Sequence, residues 1–507
     1  MGFARVACRA QLGLAAPLVH VEVSLAAGLP AFCIVGLPAM VVREARERVR
    51  AALLHSRFEF PAGRITVNLA PADLPKQGGR FDLPIAIGVL LASRQLHAHA
   101  DPGTGTPELY GELGLTGELK AVPGLLPAAA QAHRSGHELI VPRANAPEAC
   151  AAAPGLVRAA DHLLEVCAHL TGARPLARAA AACHAGAPPR APPDLADVRG
   201  QLHAKRALIV AAAGGHSLLL IGPPGCGKSM LAQRLPGLLP PLTAAEALEV
   251  AAIASVSAAG RAAPVSERPF RAPHHSATVP ALVGGGAHAG PGEISLAHRG
   301  VLFLDELTEF PRRVLEALRE PLETGVVSVA RAAAQLQYPA QFQLIAAMNP
   351  CPCGKLGDPA RICVCTPAIV RRYRARISGP LLDRLDMHVE LPRVASGEFD
   401  AAVPAGAGSA DSARLIGRAR EVQAARQGVC NARLADAELE RVGAPDEAGR
   451  RVLAAAMQHL QLSGRGRARV LKVARTIADL EERAVIGASH LTQAMMLRCL
   501  DRAGSET

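Results

Sequence analysis

"SLLLIGPPGCGKSMLAQRL", residues 217–235, decides the fold. A short apolar run, a glycine-rich turn and a stretch of helix formers follow one another. Inside them "GPPGCGKS" (222–229) fits G-x-x-x-x-G-K-S in the strand–loop–helix setting that the pattern requires. Gly222, Gly225 and Gly227 let backbone N–H groups turn inward around phosphate oxygens, and Pro223, Pro224 and Cys226 complete the loop. Lys228 puts a point charge at the β- and γ-phosphates, and the Ser229 hydroxyl is a ligand for Mg²⁺. The positive end of the helix dipole adds to the pull on the anion.

Downstream, "GVLFLDE" (300–306) and "FQLIAAMN" (342–349) are continuous apolar runs, the pattern of parallel strands buried on both faces. Asp305 falls at the tip of the first, where a carboxylate holds Mg²⁺, and Glu306 is placed to polarise a water for attack on the γ-phosphate. Asn349 ends the second, where an amide orients that water. "ISGPLLDRLD" (377–386) offers Arg384, either a finger reaching a neighbour's γ-phosphate or a surface ion pair. From about residue 410 the pattern is purely helical, as in "SARLIGRAREVQAARQ" and "RVLKVARTIADLEERAVI".

Upstream the pattern is mixed. "HVEVSL" (20–25) and "RITVNLA" (64–70) alternate like strands, and "MVVREARERVRAALLHS" (40–56) has helical spacing. "FDLPIAIGVLLAS" (81–93) reads as a buried helix, and "GELGLTGELKAV" (111–122) as a hairpin. "TGARPLARAAAACHAGAPPRAPPD" (171–194) has the composition of a linker. The expected organisation is a mixed α+β domain over 1–170, the linker over 171–194, an α/β phosphate-binding core over 195–395 and a helical domain over 396–507.

The bulk numbers agree. A chain of 507 residues is too long for one core, so about two to four domains are expected. A net charge of +11 suits a polyanionic partner such as DNA or RNA, and equally an ordinary basic protein. With no Trp, three Tyr and ten Phe, base stacking on aromatic platforms is not the expected mode of binding. No run of about eighteen apolar residues appears, so no membrane span is expected. The first residues lack the apolar core and cleavage site of a signal peptide, so a reducing cytoplasm is the expected location.

Together these residues resemble an AAA+ ATPase, and more narrowly the magnesium-chelatase-like ComM/YifB family. The likeness runs through "FRAPHHSATVPALVGGG", "PGEISLAHRGVLFLDELTEF", "AAMNPCPCG", "RISGPLLDRLDMH" and "RVLKVARTIADL". The resemblance implies a ring, a hexamer, with ATP and Mg²⁺ between subunits, Asn349 as sensor 1 and Arg384 acting in trans. In "SGRGRARVLK" it implies a sensor-2 arginine, for which Arg465 has the best spacing, with Arg469 as alternate. It implies helicase or branch-migration work on branched or single-stranded DNA during homologous recombination in natural transformation, with recombination proteins as partners. The other reading is a chelatase- or chaperone-type ATPase that remodels a protein. For DNA contact, the hairpin "ETGVVSVAR" with Arg331 and the insert with His274 and His275 are candidates, against a plain role in subunit contact. The basic cluster Arg465, Arg467, Arg469, Lys472 and Arg475 reads as a lid surface.

"LPKQGGRFDLPIAIGVL" and "GELGLTGELKAVPGLLPAAAQAHRSGHELIVPRAN" resemble a Lon protease domain. Such proteases need a Ser nucleophile and a Lys base. Here the Ser position falls near Arg80 and the Lys position near Leu126, so no peptidase activity is expected.

Just past Asn349, "CPCGKLGDPARICVC" carries Cys351, Cys353, Cys363 and Cys365. In a reducing compartment a disulfide is disfavoured. Four thiolates around one structural zinc, with Gly354, Gly357, Asp358 and Pro359 folding the link back, is one reading; free thiols packing the loop is the other.

Overall fold

The computed structural model describes residues 2–36, 39–98, 107–180, 192–257, 267–286, 289–331, 334–393, 408–460 and 462–503. The alternating strands Leu18–Ala26 and Arg64–Ala70 sit inside a seven-stranded sheet. Its order is Ala31–Val35, Arg64–Ala70, Leu18–Ala26, Gly2–Arg9, Glu108–Leu109, Leu139–Pro142, Val157–Ala160. Period 2 sends Val19, Val21 and Val23, and opposite them Ile65, Val67 and Leu69, to one fully buried face. The helix Asp82–Ala92 covers that face and is itself almost wholly buried, as its unbroken apolar sequence requires. The helix Met40–His55 and the hairpin Glu112–Leu113/Leu119–Lys120 lie where the sequence puts them.

The expected linker is shorter at its start. The Ala179 N–H donates to the Val157 carbonyl at 2.8 Å, and Arg158 holds the Leu176 carbonyl, so this stretch lines the sheet edge. Residues 181–191 and the expected boundary at 396 lie outside the described residues.

The second sheet is five-stranded and parallel, in the order Phe270–Arg271, Val301–Leu304, Gln343–Met348, Leu218–Ile221, Met387–Glu390. The strand that feeds the glycine loop therefore lies between two strands that come later in the chain. Its carboxyl end opens at a switch in strand order, where open α/β sheets bind ligands. The described C-terminal helices include Ser409–Gln427, Glu447–His459, Gly464–Leu480 and Ala488–Met496. Ile416, Val473 and Ile477 share one core with Leu218 and Leu220, so the helical segment packs directly on the α/β domain. Arg475, read from sequence as lid surface, is 1% exposed and paired with Asp479.

The N-terminal domain meets the α/β domain at the helix Ala244–Ser255. The Gly124 N–H donates to the Ser255 carbonyl at 3.1 Å, the Ser255 hydroxyl donates to Glu148 Oε1 at 2.5 Å, and Ala251 enters the N-terminal core.

Candidate nucleotide site

Three strand ends and one loop make the site. The strand Leu218–Ile221 runs into the loop, and Gly225 and Gly227 adopt φ of +79° and +93°, a region closed to most side chains. The helix Lys228–Leu238 starts immediately after, aiming its free N–H groups at the loop. Lys228 is half-buried; its Nζ donates to the carbonyls of Gly222 at 2.6 Å and Pro223 at 3.0 Å, and to Asn349 Oδ1 at 3.2 Å. All three acceptors are neutral and can yield to a phosphate oxygen.

The Ser229 hydroxyl donates to Asp305 Oδ2 at 2.7 Å. A hydroxyl and a carboxylate converging at the loop's edge are the hard oxygen donors that Mg²⁺ takes alongside substrate phosphates. Glu306 is exposed and has φ of +51°. A left-handed glutamate costs about 1–2 kcal/mol of backbone energy, and such strain gathers at functional positions. Its carboxylate lies 3.3 Å from His275 Nδ1. His274 stacks beside His275 with ring centroids 4.0 Å apart. Both histidines line one pocket with Ser229, Asp305 and Glu306. The two histidines, read from sequence as candidate DNA contacts, thus face the nucleotide pocket. The pairing of Phe270–Arg271 with the Val301–Leu304 strand, which no local pattern announces, brings them there.

Arg384 is apart from this group. It is 8% exposed, bonded to the Pro380 carbonyl at 2.7 Å and paired with Glu323 at 2.5 Å. The Glu323 carboxyl is held below its ordinary range, first by the Arg384 hydrogen bond and further by the Arg465 charge nearby. Arg465 itself is exposed in the first turn of its helix. Arg469, the alternate, is tied to Asp386 and the Asp383 carbonyl. Arg331 ends a six-residue strand, Val326–Arg331, paired with Ala334–Pro339; its side chain lies outside the described residues.

The four cysteines converge. Their Sγ atoms lie within 4.8 Å of one another, with Cys351–Cys353 at 3.4 Å, Cys351–Cys363 at 3.7 Å and Cys353–Cys363 at 3.6 Å. A tetrahedron with Zn–S bonds of about 2.3 Å has S···S edges of about 3.8 Å. Cys351 is buried and the other three are half-buried. The Lys355 N–H, above all, pulls the Cys353 thiol down to about 6. The Cys365 N–H also pulls on Cys363, but burial and the sulfurs of Cys353 and Cys351 outweigh it and leave that thiol at about 11.

In the N-terminal domain, the residues at the two expected positions are Arg80 and Leu126, neither a Ser nor a Lys. Arg80 is 2% exposed; its Nη2 donates to the Pro123 carbonyl at 2.5 Å and to Gln11 Oε1 at 2.7 Å. The Leu126 N–H donates to Glu148 Oε1 at 3.0 Å.

A glycine loop, its lysine and a Ser–Asp pair at the head of a parallel sheet define a P-loop nucleotide site. Comparisons with known proteins agree. Residues 194–399 match the family described as magnesium chelatase, subunit ChlI. Residues 21–145 match subunit ChlI of Mg-chelatase, and 406–498 match its C-terminal region. The protein YifB of Salmonella typhimurium is 50% identical over 504 residues, 99% of this chain and 98% of that one. Competence protein ComM of Haemophilus influenzae is 48% identical over 511 residues, 99% and 98% of the two chains. The magnesium-chelatase 38 kDa subunit of Cereibacter sphaeroides is 27% identical over 169 residues, 30% of this chain and 51% of that one. The chain belongs to the ComM/YifB family of magnesium-chelatase-like AAA+ ATPases.

Proposed function

We propose that this protein is an ATP-driven motor on DNA, with helicase or branch-migration activity on recombination intermediates during natural transformation. The observation that carries the reading is likeness over nearly the whole chain to a protein named for competence. It is joined to a complete set of phosphate-handling side chains. The net charge of +11 fits a polyanionic track. Among the described residues no helix is long and apolar enough to cross a membrane. That is consistent with cytoplasmic work beside the recombination proteins.

Gly222 to Gly227 cradle the ATP phosphates, Lys228 exchanges its three neutral acceptors for phosphate oxygens, and Ser229 with Asp305 hold Mg²⁺. When bound, that ion supplies charge neutralisation at the β- and γ-phosphates. Glu306 takes the attacking water's proton and Asn349 orients the water. Arg384 acts on a neighbour's γ-phosphate in a hexameric ring, which requires it to leave Glu323. Arg465 lies on the same side of the chain, by that carboxylate, and serves as sensor 2. The four cysteines hold one structural zinc. Arg80 fills the place of a protease nucleophile with a sealed guanidinium, so the domain is a scaffold without peptidase activity.

A second reading, remodelling of a protein partner, draws on the likeness to the 38 kDa magnesium-chelatase subunit. The test is ATPase rate against forked and four-way DNA, with affinity measured across salt. A motor that neutralises several phosphates loses affinity steeply as salt rises, with a log–log slope of about −0.7 to −0.9 per phosphate. A rate indifferent to DNA, with salt-independent binding, would sink the motor reading and leave the protein-remodelling one.

A further inference from the structure

We infer that the four-cysteine knot is a metal-set buttress for the phosphate loop, so that zinc in the knot governs how tightly the protein binds nucleotide. The inference rests on the zinc reading above and goes beyond it, because a structural metal need not touch the active site.

Contact at three points carries it. The chain leaves the central strand at Met348, places Asn349 on Lys228, and reaches the first ligand, Cys351, two residues later. The Gly354 N–H then donates to the Cys351 carbonyl at 2.9 Å, closing a tight turn around the knot. Gly354 has φ of +72°, and a Cβ there would sit 2.8 Å from Pro224 Cδ, 3.0 Å from Pro224 Cγ and 3.9 Å from Asn349 Cγ. The knot's backbone therefore lies flush against the exposed tip of the phosphate loop, with no room for a methyl group. At its far side Asp358 pairs with Arg393 at 3.3 Å and caps its own turn through the Ala360 N–H at 2.9 Å. Arg393 follows Pro392, whose carbonyl accepts from Gln201 Nε2 at 2.7 Å. The same Nε2 also donates to the carbonyl of the loop residue Cys226 at 3.3 Å.

The loop is thus held on one side by Gly354 and on the other through Gln201, and both supports join in the knot. Four closely spaced sulfurs are a poor brace unaided, since thiolates repel one another. A divalent ion bonded to all four fixes the turn. A loop of glycines needs such an external brace, because its backbone is free to leave the phosphate-binding shape. If the unbraced loop holds that shape about a tenth of the time, apparent nucleotide affinity falls about tenfold.

The experiment uses the full chain under reducing conditions with three variants: Cys353→Ser/Cys363→Ser, Gly354→Ala and Gly357→Ala. Gly357 also has positive φ, +78°, but nothing among the described residues lies within 4 Å of its would-be Cβ. It therefore reports backbone strain without contact. Zinc content is measured by elemental analysis, and affinity by titration of a fluorescent ATP analogue with Mg²⁺. The parent should carry about one zinc per chain. The double variant should carry none and bind the analogue about tenfold more weakly. Gly354→Ala should keep its zinc and lose a similar factor, while Gly357→Ala, strained but without the contact, should lose clearly less affinity. A parent chain without zinc overturns the zinc reading and the buttress with it. Zinc in the parent with unchanged affinity in Gly354→Ala overturns the buttress alone, even if the double variant fails to fold.

Discussion

Two glycine turns in this chain each lead through a cation into a helix. In the N-terminal domain Gly78 and Gly79 lead to Arg80 and the helix Asp82–Ala92; in the α/β domain Gly225 and Gly227 lead to Lys228 and the helix Lys228–Leu238. Arg80 is sealed. Its bonds go to the Pro123 carbonyl and Gln11, its Nη1 has no partner among the described residues, and burial lowers its pKa. Lys228 is only half-buried, on neutral acceptors that a phosphate can displace. A helix N-terminus with a cation becomes a site only where the cation's partners are exchangeable and the approach is open.

The largest expected effect is at Lys228. Lys228→Ala should weaken ATP binding by about 10²–10³-fold, since it removes a charged donor to phosphate. Isothermal titration checks it, and affinity within a small factor of the parent would contradict the role given to Lys228. Next comes Glu306→Gln, which should keep ATP affinity but slow hydrolysis by about 10²-fold. Turnover at the parent rate would remove Glu306 as the group that polarises water.

The two regions also titrate in opposite directions. Burial, first, and the Arg498 charge push His388 in the α/β domain down to about 4. A histidine kept neutral in the folded state gives stability that is present above its unfolded pKa of about 6.5 and is lost as pH falls toward 4, about 2–4 kcal/mol in all. In the N-terminal domain burial lifts Asp82 to about 6, against the opposing pull of Arg48. Its contribution runs the other way: it is present below about 4 and lost as pH rises through 6. Between pH 7 and pH 5 the α/β domain should therefore lose protection against amide exchange while the N-terminal domain loses less. Equal losses in both would contradict the assignment. The smallest effect is expected at Arg80. A buried cation without a paired carboxylate is replaced by an apolar side chain of similar volume at little cost. Arg80→Met should leave ATP affinity unchanged and shift the melting temperature by no more than about 4–8 °C, equivalent to about 1 kcal/mol in a small domain. A collapse of ATP binding would show that the two cations are coupled.

Much of this was legible because it is local. The glycine loop, the apolar strand before it and the acid pair at 305–306 are each contiguous, so period and motif locate them. The strands at 20–25 and 64–70 were legible from alternation, whereas Gly2–Arg9, in the middle of the same sheet, has Val6, Ala7 and Cys8 buried in succession and shows none. What the sequence hid depends on chain crossings. His275 reaches Glu306 across 31 positions, and Gly354 reaches Pro224 across 130. Arg384 illustrates a different limit. Its spacing suits a finger in trans, but in a single chain its guanidinium is occupied by Glu323. Spacing says where an arginine sits and nothing of which acid claims it.

The central claim is tested most directly by strand displacement from a labelled four-way junction, with ATP compared against a non-hydrolysable analogue and against Lys228→Ala. The account predicts displacement with ATP and the parent chain only. Displacement that persists with the analogue or in Lys228→Ala, or none from a parent chain that hydrolyses ATP, would contradict it.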